Sequence, residues 1–111
     1  MSMPHKHFWQ FSLLEDERAN NNQRYLEFLR VPAMSAGLYV LPVDSTDPQS
    51  PHHEDEMYYV VRGKARMKVG AESQPVGAGS VIFVEARIEH RFYEITEELV
   101  VLVFFAPAET T

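Results

Sequence analysis

Hydrophobic and polar positions along this chain follow the short, closely punctuated pattern of β-structure. From Ala36 onward, runs rich in valine, tyrosine and phenylalanine recur: "AGLYVLP" (36–42), "EMYYVVR" (56–62), "ARMKV" (65–69), "SVIFVE" (80–85), "EHRFYEI" (89–95) and "ELVVLVFFA" (98–106). Turn residues in "DSTDPQSP" (44–51), "RGK" (62–64) and "VGAESQPVGAG" (69–79) separate them, as in an all-β sandwich or barrel. The run "LVVLVFF" has no polar alternation, and a strand apolar on both faces needs cover on both. One face can fill a barrel interior. The other calls for a second layer, supplied by an N-terminal segment or by a partner subunit. Met57, Tyr59 and Val61, which strand alternation turns outward, add to that demand and predict a homodimer.

The first 35 residues carry a different pattern. "EDERANNNQ" (15–23) is polar and predicts a surface loop or a frayed helical turn. "RYLEFLRV" (24–31) places Tyr25, Phe28 and Leu29 on one helical face, but Pro32 stops such a helix early. A strand covering the barrel is the preferred reading. Helix is expected only as one or two short turns within this segment. The organisation predicted is a covering segment over 1–35 and a β-barrel over 36–111, in one domain.

Charge and composition narrow the setting. Sixteen acidic against ten basic residues give a formal net charge of −6, which excludes non-specific binding to nucleic acid or to an anionic membrane. The absence of cysteine excludes a disulfide framework, a thiolate metal site and a thiol nucleophile. No apolar run has the length of a signal segment or a membrane span, so a cytoplasmic protein is expected. No phosphate loop, serine elbow or dinucleotide fingerprint is present.

Chemistry concentrates in "HHEDEMYYVVRG" (52–63), where histidines and carboxylates crowd the start of an apolar run. Such groups are costly to bury unless something pairs with them. With the period of a strand, His52, Glu54, Glu56, Tyr58 and Val60 share one face, while His53, Met57 and Tyr59 point away. Glu54 is expected nearer the rim, solvated together with Asp55. His90 opens another apolar run. Two imidazoles and one carboxylate form a three-ligand set that suits zinc, iron, manganese or nickel and leaves positions open for water or substrate.

The stretches "PHHEDEMYYVVRG" and "GSVIFVEARIEHRFYE" resemble the paired motifs of the cupin superfamily, in its small single-domain form. Glu56 and Gly63 stand at the spacing of the first motif, and His52 stands at its second histidine. Ser50 occupies the place of the first histidine and Asp44 that of the opening glycine. In the second motif Gly79 and His90 match, whereas Glu85, Arg87 and Glu94 replace proline, glycine and asparagine. The resemblance implies a double-stranded β-helix, or jelly-roll barrel, that holds one divalent ion through His52, Glu56 and His90. Gln49, beside the vacant position, and His53 are further candidate ligands. An inward Tyr58 lines the pocket with Phe92. The implied function is action on a small organic molecule by dioxygenase or isomerase/lyase chemistry. The alternative is a non-catalytic ligand-binding or sensory barrel with a degraded metal site.

Overall fold

The computed structural model describes residues 6–48 and 51–110. It is an antiparallel β-structure with a single short helix among the described residues. Helix α1 spans Phe11–Asn20, and the strands are β1 (Tyr25–Val31), β2 (Met34–Leu41), β3 (Asp55–Val69), β4 (Glu72–Gly77), β5 (Val81–Val84) and β6 (His90–Ala106). The hydrogen-bonded order is β1-β2-β6-β3-β4, with β5 on the outer side of the first part of β3. This is the all-β barrel that the strand pattern predicts, in the double-stranded β-helix form that the resemblance implies.

Three local expectations differ from what forms. The helix takes in Phe11 to Asn20, ten residues, and so runs into 15–23, where the polar sequence predicts a loop or a frayed turn. It buries Leu14, and Trp9 packs edge-on against Phe28 with ring centroids 5.4 Å apart. Apolar contacts thus sustain a helix that its polar half conceals in sequence. The segment 69–79, a turn by its composition, contains β4, which is largely exposed and so lacks an apolar signature. Gly63 is not a turn between two strands but a kink inside β3. Its φ is +106°, and a Cβ there would stand 2.2 Å from the Glu98 carbonyl oxygen. The pairing of β3 with β6 shifts register between Val60 and Arg66, and such bulges bend a strand and increase its twist. The bend lets one long strand serve both halves of the barrel.

The apolar residues divide into two layers. Leu41, Tyr58, Val60, Met67, Phe92, Ile95, Leu99, Val101, Val103 and Phe105 fill the interior. On the opposite face of β2 and β6, Leu38, Val40 and Val100 pack with Leu14 under Trp9, Phe11, Leu26 and Phe28. The N-terminal segment is therefore the second layer that the unbroken apolar run required. Val61 joins that layer, whereas Met57 and Tyr59 stay exposed beside Val81 and Phe83.

Candidate metal centre

The barrel brings together residues from separate strand starts. Glu56 lies at the beginning of β3, paired with Val84 and Phe105. His90 opens β6 and pairs with Val69 at the far end of β3. The two meet only because the long strands curve round and close. His52 precedes β3, and its carbonyl accepts a 2.6 Å hydrogen bond from the Arg87 amide. Asp55 Oδ1 accepts another, 2.9 Å, from the Ala86 amide. The turn before β6 thus anchors the segment that carries His52.

One ligand atom from each of His52, Glu56 and His90 lies within 4.8 Å of the other two. His90 Nε2 is 3.0 Å and His52 Nε2 3.8 Å from Glu56 Oε1. The imidazole rings stand 5.3 Å apart, and that of His52 meets Phe105 edge-on at 5.0 Å. His90 Nδ1 lies 2.8 Å from the Ile88 carbonyl oxygen, which only accepts, so Nδ1 carries the hydrogen. In neutral His90 the Nε2 lone pair then faces a carboxylate oxygen, and Glu56 Oε1 is buried without a hydrogen-bond partner. Two lone pairs directed at one point need a proton or a cation between them. Burial alone would lower the His90 pKa, but the Glu56 carboxylate, the Ile88 carbonyl and the charge of Asp47 outweigh it and leave it raised. The donor set fits a divalent metal, with a backbone carbonyl fixing the tautomer of one histidine, as metal-binding histidines require.

The alternation of burial along 52–60 is regular: His53, Asp55, Met57 and Tyr59 are exposed, while Glu54, Glu56, Tyr58 and Val60 are buried and His52 partly so. His53 reaches the cavity rim but lies outside the ligand cluster. Gln49 and Ser50 lie outside the described residues. Tyr58 lines the cavity, and Phe92 stands behind it, edge-on at 5.0 Å. Glu54 corrects the expectation of a solvated rim carboxylate. It is 3% exposed, and its Oε2 accepts hydrogen bonds from the Thr110 amide (3.2 Å) and hydroxyl (2.7 Å).

That contact belongs to a C-terminal strap that sequence reasoning missed. The Glu109 amide donates to Ser35 Oγ (2.9 Å), and Arg30 donates to the Glu109 carbonyl (2.7 Å). The strap sets Glu109 Oε2 3.6 Å from His52 Nδ1. Burial, then the charges of Glu56, Glu54 and Glu27, raise the Glu109 pKa. Tyr25 and Tyr39 are wall residues that the sequence does not reveal: the Tyr25 segment reads only as cover, and Tyr39 sits in a barrel run with no motif of its own. The Tyr25 ring lies over Gly37, where a Cβ would come within 2.2 Å of it, and its hydroxyl is buried without a partner. The Tyr39 hydroxyl donates to Asp47 Oδ1 at 2.7 Å, and Asp47 Oδ2 accepts from the Phe92 amide at 2.9 Å. Burial first, then nearby carboxylates, raise both phenol pKa values, so both rings stay neutral. Tyr25, Tyr39, Tyr58, His52, Glu56 and Glu109 are among the residues that line an open cavity of about 460 Å³.

The curved antiparallel barrel thus sets a His/Glu/His cluster beside a cavity. The chain belongs to the cupin family: the model of the cupin domain matches residues 37–105. It is similar to an uncharacterized protein of Streptomyces coelicolor, 50% identical over 97 residues that make up 87% of this chain and 92% of that one. Its fold matches the cupin domain of Cnp3 from Schizosaccharomyces pombe, with a TM-score of 0.69 and 16% identity over 75% of this chain and 59% of that one. It also matches the Fe(II) form of HppE bound to an alternative substrate, with a TM-score of 0.64 and 19% identity over 73% of this chain and 48% of that one.

Proposed function

We propose that this cupin binds one divalent ion through His52, Glu56 and His90 and acts on a small organic molecule held in the adjoining cavity. The observation that carries the reading is the convergence of His52, Glu56 and His90, with the buried Glu56 Oε1 3.0 Å from His90 Nε2 and 3.8 Å from His52 Nε2. Zinc, iron, manganese and nickel all suit two imidazoles and a carboxylate. When bound, such an ion supplies a Lewis acid for a substrate oxygen or acidifies a coordinated water. The chain itself supplies the Tyr25 hydroxyl, a neutral donor with no internal partner, to orient a substrate oxygen. Glu109 adds a carboxyl able to hold or release a proton beside His52. These groups favour proton-transfer chemistry of the isomerase or lyase type over dioxygen chemistry. A second reading, a barrel that binds its ligand without turning it over, is favoured by Ser50 at the position of the first family histidine.

Metal binding is expected to depend on pH with a definite sign. The ligating imidazole must be neutral, and in the metal-free protein the raised His90 pKa keeps its proton on to higher pH than the ordinary value of about 6.5. Metal affinity therefore rises as pH increases through and beyond that value, with protons released on binding. In the metal-free protein the His90–Glu56 contact stabilises the fold fully below the ordinary imidazole value and is lost as pH rises through the raised one. Zinc titration at several pH values, with proton release measured by calorimetry, checks the first point. Affinity independent of pH across the neutral range would remove His90 from the ligand set.

A homodimer is part of the proposal. Met57 pairs with Phe83 and Tyr59 with Val81 across β3 and β5, so the four make one continuous apolar face. Val81 and Phe83 are 62% and 53% exposed. Sedimentation is expected to give twice the 12.8 kDa chain mass, and Phe83→Asp to give the single chain. A wild-type protein that sediments as a monomer at micromolar concentration would end the dimer proposal and leave the metal site untouched.

A further inference from the structure

The cavity has a charge pattern that bears on what enters it. Its lining includes Tyr25, Tyr39, Tyr58, Glu56 and Glu109, and among the described residues it includes no lysine or arginine. Residues 1–5, 49, 50 and 111, which lie outside the described ones, contain no lysine or arginine either. Arg30, the cation nearest the strap, is engaged by the Glu27 carboxylate at 2.8 Å and by the Glu109 carbonyl at 2.7 Å. Its charge also acts on the Glu109 carboxylate, but burial and the neighbouring carboxylates outweigh it.

Four carboxylates, Asp47, Glu54, Glu56 and Glu109, are gathered in or directly behind the cavity wall. The two charges of a divalent ion leave that field negative. Asp47 and Glu54 are held by hydrogen bonds to Tyr39 and Thr110, and Glu56 faces the histidines. Glu109 is the one whose position on the strap lets it meet a ligand. Tyr25, Tyr39 and Tyr58 line the same cavity, and aromatic rings attract a cation through their quadrupole. An anionic ligand would meet like charge in a partly desolvated site, which costs far more than in water.

We infer that the cavity selects small organic cations, with an amine or other positively charged group seated between Glu109 and the tyrosine rings, and rejects carboxylates and phosphates. The inference rests on the proposed placement of the ligand in this cavity. It does not depend on the ion, because the selecting charges belong to the chain.

Phenethylamine and 3-phenylpropionate share a skeleton and differ in the sign of their charge. Binding of each to the protein as purified, followed by NMR titration, is expected to favour the amine by about tenfold or more. Glu109→Gln is expected to reduce that preference to less than about threefold, in the chelator-stripped protein as in the protein as purified. The wild-type protein stripped with chelator is expected to keep the preference. A carboxylate bound as tightly as the amine by the purified protein would overturn the inference, as would a preference unchanged in Glu109→Gln. A protein that never binds metal yet prefers the amine would refute the metal reading and leave this one standing.

Discussion

Replacing His90 with alanine is expected to abolish metal binding while leaving the barrel folded. The substitution removes an imidazole whose Nε2 lies 3.0 Å from Glu56 Oε1 and leaves two of the three ligands. Loss of an outer partner of a ligand typically costs 10–100-fold in metal affinity, so loss of a ligand is expected to cost more than about 100-fold. His52→Ala is expected to behave the same way. His53→Ala is expected to bind like the wild type, because His53 is exposed and stands outside the ligand cluster. Elemental analysis of the three variants and zinc titration of each check this. Metal retained by His52→Ala and lost by His53→Ala would mean that the other imidazole is the ligand.

The largest effect on stability is expected at Gly63. Any side chain there meets a positive φ of +106° and a backbone oxygen 2.2 Å from the new Cβ. Backbone strain of this kind costs about 1–3 kcal/mol, and forcing extra atoms into a packed site costs a similar amount. Gly63→Ala is therefore expected to destabilise by about 3 kcal/mol or more and to lower the melting temperature by roughly 10–20 °C. Gly79 is a control with φ of +90° and nothing within 4 Å of where a Cβ would stand. Gly79→Ala is expected to cost only the strain, about 1–2 kcal/mol. Equal melting temperatures for the two variants would show that the close approach to Glu98 does not constrain the strand. The site should feel the change at Gly63 as well, since the curvature of β3 is what brings Glu56 to His90.

Much of the fold is legible in the sequence. Valine and aromatic runs mark the strands, and the unbroken apolarity of 99–105 announces a second covering layer. What stays hidden has physical reasons. The polar half of α1 gives no amphipathic signal, since the helix is held by Trp9, Phe11 and Leu14 against β1 and β2. β4 is mostly exposed and has no apolar face to read. Gly63 reads as a turn in sequence because a kink and a turn ask the same conformational freedom of glycine.

The candidate site divides along a similar line. Period-two spacing is enough to group His52 with Glu56, because the segment before β3 keeps strand alternation. Meeting His90 requires closure of the barrel, which no local pattern encodes. Glu54 reads as a surface carboxylate because its partner, Thr110, lies at the other end of the chain. Glu109 is invisible for the same reason: hydrogen bonds to Ser35 and Arg30, far back in sequence, set its place. Contacts of that length leave no trace in spacing.

The most direct test of the central claim is an anomalous-scattering map from crystals of the protein as purified. The expected result is one peak in the cavity, about 2.0–2.2 Å from His52 Nε2, from a Glu56 carboxylate oxygen and from His90 Nε2. A metal-replete crystal with no peak there, or with its peak on other side chains, would contradict it.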